Sequence, residues 1–221
     1  MRHVAALVWK DVLVEARSRE LVAGTAVFAL LVLLVFSFSF DLRGPQAQAA
    51  VPGMLWVTVL FAAMLGMTRT FQSELESGAL DGLLASPVDR GTLYLGKLVA
   101  NLIFALAVAL LVLLAAGLVF NAATIGAGPL AVVALGTVGI VAVTTVLAAA
   151  TVRSRARELL LPLLAVPLLV PVVIGGVEEL ALALAVATET ATRPPWPGLL
   201  AAFDVIFVAA GYLVFEFVIE E

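Results

Sequence analysis

Apolar residues run along this chain in long blocks separated by short polar interruptions. The first block extends from Leu21 to Phe40 and is broken only by Gly24 and a few hydroxyl residues. Further blocks occupy 50–68, 98–120, 129–152, 159–177 and 197–217. The hydrocarbon core of a bilayer is about 30 Å thick, so a helix crossing it needs roughly 20 mostly apolar residues. Each block is close to that length, and the pattern predicts an all-α polytopic membrane protein with six transmembrane helices.

Residues 1–20 carry a different period. At about 100° per residue, Ala5, Val8, Trp9, Val12, Leu13 and Ala16 fall on one face, while His3, Lys10 and Arg17 fall on another. A tryptophan on the apolar face suits a helix lying in the headgroup layer. The chain thus reads as an amphipathic interfacial helix, 1–20, ahead of a membrane domain, 21–221. The stretch 178–196 opens on Glu178 and Glu179, continues apolar from Leu180 to Val186, and ends at Arg193 to Trp196. It is too short and too polar-flanked to span while leaving a loop on each side. An interfacial or re-entrant helix on the outer face is expected, with a seventh span as the alternative.

Composition agrees with the blocks. Of 221 residues, 63% are hydrophobic and 13% charged, too little polar surface for a soluble domain. The net charge of −4 matters less than where the charges lie. Arg2, Lys10, Arg17, Arg19, Arg69, Arg90, Lys97, Arg153, Arg155 and Arg157 flank one set of block ends; only Arg43 and Arg193 flank the other. Cytoplasmic loops are enriched in Lys and Arg, so the N-terminus is expected in the cytoplasm. An even number of spans returns the acidic tail, Glu216, Glu220 and Glu221, to the same side. The mixed-charge start speaks against a signal peptide. With no cysteine, the chain has no disulfides, no cysteine metal site and no covalent haem attachment, and its single histidine is His3.

One apparent motif fails on its chemistry. Gly91 to Lys97 matches the first seven positions of a phosphate-binding loop, but Leu98 stands where the magnesium-binding Ser or Thr belongs, and no strand precedes it. A loop leading into the third span, with Lys97 snorkelling to the interface, is the expectation. The polar segment 69–97 is more informative. Leu75, Ala79, Leu80, Leu83 and Leu84 recur at helical spacing, Glu74, Glu76 and Asp81 lie on other faces, Gly78 marks a bend and Pro87 a stop. A short amphipathic helix between two spans suits docking into a groove on a soluble partner.

Glu74 to Pro87, followed by Tyr94 to Lys97, resembles the cytoplasmic signature of ABC-2-type transporter permeases. Within that group the chain is similar to the haem-exporter permeases of cytochrome c maturation, the B subunits. Pro52 to Trp56 opening the second span and Leu161 to Pro171 in the fifth strengthen the likeness. The resemblance implies a permease subunit pairing with itself and with two copies of a separate ATPase that binds ATP. It also implies membrane lipids, further haem-handling subunits and a haem chaperone as partners, and no nucleic acid. The task would be haem export, or ATP-driven release of haem-loaded chaperone, in a bacterial inner membrane. Haem would be substrate rather than cofactor. An exporter of lipid, polysaccharide or drug is the alternative.

ATPase coupling is expected at Phe71, Glu74, Leu75, Glu76, Gly78, Leu80, Asp81, Leu83 and Pro87. An intramembrane carboxylate is costly, so Asp204 is either a substrate-path residue, with Trp56, Pro167 and Pro171, or a hydrogen-bond partner to a neighbouring helix. Met54, Met64 and Met67 read as packing residues. The fifth span, with Pro162, Pro167 and Pro171, is expected to be kinked or broken, and Gly175 and Gly176 to extend its flexibility. No span carries a catalytic constellation, so no enzymatic activity is expected.

Overall fold

A computed structural model describes residues 2–17, 19–39, 45–85, 87–122, 124–187 and 194–220. The side chains of His3, Ala16 and Arg17, and all of Arg43 and Arg193, lie outside the described residues. Among the described residues eight helices follow in order: α1 (Arg2–Arg17), α2 (Arg19–Ser39), α3 (Pro45–Glu76), α4 (Ala79–Leu84), α5 (Arg90–Phe120), α6 (Ala127–Thr151), α7 (Arg157–Ala183) and α8 (Trp196–Glu220). Among the described residues there is no strand. Helices α3, α5, α6, α7 and α8 are long and apolar enough to cross a membrane, and α2 adds a shorter apolar stretch, Ala23–Phe38.

Helices α3 and α6 form the centre of the bundle. α6 packs against α3, α5, α7 and α8, and Thr137, Thr144 and Thr151 donate their hydroxyls to carbonyls of Val133, Ile140 and Leu147 at 2.6–2.8 Å. Those bonds satisfy polar groups that hydrocarbon could not solvate. Fully buried Trp56 lies where α3, α6 and α7 meet, against Gly136 and Gly176; a Cβ on either glycine would collide with the indole. Gly176 thus serves close approach. The expected flexibility at Gly175 and Gly176 gives way to packing, since Gly175 faces Trp196 and Leu200.

Three boundaries differ from the sequence expectation. The segment 69–97 is not one loop: α3 continues past its apolar block to Glu76, and α5 begins at Arg90. At about 1.5 Å per residue, helices of 32 and 31 residues run about 46–48 Å and overhang a bilayer on the same end. Gly91 to Lys97 is accordingly helix rather than loop. The fifth-span helix, α7, is continuous through Pro162, Pro167 and Pro171 and also absorbs Glu178 and Glu179, ending at Ala183. No separate outer helix is seen at 178–187; residues 188–193 lie outside the described residues.

The two ends of the bundle gather the segments that charge counting assigned to opposite sides. At one end Gln48 donates to the Asn121 carbonyl at 2.9 Å, and Gly128 abuts Ala183. At the other, Arg153 reaches Asp81 at 3.1 Å and Tyr212 reaches Asp89 at 3.5 Å.

Candidate functional site

The segment matched to the coupling signature folds as an elbow. α3 ends at Glu76, Gly78 takes φ 68°, and α4 turns back from Ala79 to Leu84. That left-handed backbone suits glycine and costs other L-residues. Asp89 then caps α5, accepting the Thr92 N–H at 3.0 Å. Around the bend Glu76, Gly78, Asp81, Pro87 and Asp89 are exposed. Asp81 pairs with Arg153, but both remain open to solvent.

Other members of the expected coupling set turn inwards. Phe71 and Leu80 are each 1% exposed, and Glu74 is buried; Leu75 and Leu83 are half-buried against the core. A helical period alone made the leucines look like partner contacts, but Leu7 and Asp11 of α1 lie over Leu80 and Leu83. Phe71, Leu80, Leu83, Leu93 and Phe215 instead enclose a small void beside Asp11 and Lys97.

Lys97 does not snorkel. It is 4% exposed, with Nζ 2.9 Å from Asp11 Oδ2, a direct ion pair to Glu74, and the Phe71 ring centroid at 5.8 Å. Lys10 closes the cluster at 3.0 Å from Glu74 and 3.1 Å from Asp11. Burial alone would lower the Lys10 pKa, but Glu74 and then Asp11 outweigh it, so the net shift is upward from 10.5. Two ammonium groups and two carboxylates thus join α1, α3 and α5 beside the elbow. Sequence reading missed this cluster because it placed Lys10 on the polar face of α1 and gave Asp11 no role. Trp9, 67% exposed, does face outward, while Leu7 packs on Gly96.

The substrate-path candidates are not brought together. Trp56 is enclosed by packing, and Pro167 and Pro171 lie on the exposed side of α7. Asp204, 7% exposed, lies beside Gly139 of α6 and lines a separate groove of about 630 Å³ whose walls include Leu95 and Val138. Met54, Met64 and Met67 are buried in the core.

A family model described as CcmB protein matches residues 2–217. Heme exporter protein B of Pseudomonas aeruginosa is 32% identical over 155 residues, covering 70% of each chain. Its Rhodobacter capsulatus namesake is 34% identical over 164 residues, 70% of this chain and 71% of that one. A more distant relative, heme exporter protein B of Haemophilus influenzae, is 27% identical over 205 residues, 92% and 90% of the two chains.

Proposed function

The chain belongs to the CcmB protein family, and on that premise we propose that it is the membrane permease subunit of a haem exporter serving cytochrome c maturation. The observation that carries this reading is the match over residues 2–217, which takes in the interfacial helix, the elbow and the membrane helices together. The relatives are named heme exporter proteins, which favours haem over a lipid, polysaccharide or drug. The chain is a multi-pass protein of the bacterial inner membrane, with a transport role.

Its finer organisation follows from charge and geometry. α2 completes six crossings, and both termini lie in the cytoplasm with α1 in the headgroup layer. The two overhanging helices and the basic segments share one end of the bundle, which supports that orientation. A separate ATPase docks on the exposed rim of the elbow, Glu76, Gly78, Asp81 and Pro87. Phe71, Glu74, Leu75, Leu80 and Leu83 then carry its push inward. The permease pairs with a second copy and with haem-handling subunits, acting in haem export or in ATP-driven release of haem-loaded chaperone. Among the described residues Asp204, Trp56, Pro167 and Pro171 are not brought together, and a shared path forms in the assembled complex.

The test is complementation. A strain lacking this gene should lose haem-stained c-type cytochromes and regain them with the wild-type chain; unchanged cytochromes in the deletion strain would sink the function. Glu76→Lys with Asp81→Lys should reverse the rim charge and reduce ATPase recovered with the complex, most strongly at low salt, because exposed charges are screened. Full recovery would place the docking surface elsewhere.

A further inference from the structure

Among the described residues, the least enclosed of the five long apolar helices is α8: 22% of its apolar stretch is buried, against 72% for α3. Yet one stripe of α8 is not plain lipid-facing surface. Asp204, Val205, Val208, Ala209, Tyr212 and Leu213 recur at one-turn spacing and line one groove. Asp204 is the only carboxylate among the groove's described lining residues. Its Oδ1 is buried and has no hydrogen-bond partner among the described residues. The neighbouring stretch of α6 offers it Gly139, which has no side chain to donate.

A carboxyl group in hydrocarbon demands a donor. Lipid headgroups cannot supply it, because at about 1.5 Å per residue Asp204 lies about 12 Å from one end of α8 and about 24 Å from the other. An acyl chain has no donor to give. A second copy of the same stripe offers the Tyr212 hydroxyl, which already reaches Asp89 at 3.5 Å, and another Asp204, a like charge that disfavours sharing one site. What remains is a side chain carried to that depth by another helix. We propose that the α8 groove seats a transmembrane helix of a different membrane subunit, which presents an amide, hydroxyl or cationic side chain to Asp204. Small Ala209 within the stripe leaves room for the close backbone approach that membrane helix pairs use.

The experiment places a benzophenone amino acid at Val208 or, as a control outside the groove, at Ile206, in the full complex in native membranes. After irradiation, mass spectrometry identifies the adducts. The Val208 probe should capture one transmembrane segment of a different polypeptide, with a donor side chain opposite Asp204, at least tenfold more than the Ile206 probe. Asp204→Leu should cut that yield tenfold or more, while Asp204→Asn, which still hydrogen-bonds, stays within about twofold. Replacing the partner's donor by leucine should reproduce the loss. Adducts only with phospholipid, only with a second copy of this chain, or equal from both probes would overturn the proposal, as would an undiminished yield from Asp204→Leu. If the Leu variant fails to accumulate, the adduct map with Asp204 intact, together with the Asn variant, still decides.

Discussion

Taking away the Lys97 ammonium would leave Asp11 and Glu74 to share Lys10, whose side chain is 41% exposed. Removing one partner of a buried ion pair costs about 3–5 kcal/mol, chiefly because the remaining charge is stranded. Lys97→Met should therefore lower the thermal midpoint of the detergent-solubilised protein by on the order of 10 °C. Adding Asp11→Asn and Glu74→Gln should recover most of that loss; no recovery would mean that Lys97 acts through packing alone. Lys10 sets a different expectation. Its pKa is raised above 10.5 in the folded protein, so its contribution is fully present below 10.5 and fades as pH climbs through the higher folded value. Between neutral pH, where Glu74 and Asp11 are ionised, and pH 10.5 the midpoint difference between wild type and Lys10→Met should stay flat, and it should narrow above 10.5. A difference that disappears within that window would show that the cluster does not hold Lys10.

At the scale of elements, the elbow rests on two local devices. Gly78 adopts φ 68°, where an L-residue with a Cβ costs roughly 1–2 kcal/mol. Asp89 caps α5 through the Thr92 N–H, and loss of such a cap costs about 1 kcal/mol. Gly78→Ala and Asp89→Ala should each loosen the α3–α4–α5 connection. Limited proteolysis should then cleave earlier within 77–89, with membrane insertion unchanged. Cleavage rates equal to wild type would show that packing of Leu80 and Phe71 alone fixes the bend. The prolines of α7 teach the complementary lesson. Each removes one backbone hydrogen bond, yet the helix continues through all three, because α6 and α3 pack along it.

At the scale of the molecule, the two ends of the bundle are the testable feature. The chain has no cysteine, so single introduced cysteines report position cleanly. Gln46→Cys and Ile125→Cys should react with an impermeant thiol reagent in intact cells. Ser73→Cys and Ser154→Cys should react only once the cells are opened. The reverse pattern would invert the proposed orientation, and a split between Gln46 and Ile125 would change the number of crossings.

The helical class, the long apolar blocks and the two-sided distribution of charge were legible in the sequence, because each is a sum over local properties. Transfer of apolar residues into hydrocarbon adds along a segment, and Lys and Arg are counted loop by loop. The Gly78 bend was equally local, since its backbone angle restricts the residue there. Which way Lys97, Glu74 and Leu80 face was not legible. A 3.6-residue period names a face but not what arrives to cover it, and the cover here is Leu7 and Asp11 of α1, far away in sequence. Lys97 was expected at the interface and is buried because two carboxylates from separate helices meet it. The separate outer helix expected at 178–196 gave way, over its described part to Ala183, to a longer α7 for a similar reason. Glu178 and Glu179 interrupt an apolar pattern but not a hydrogen-bonded helix, and only packing against the bundle decides where such a helix stops.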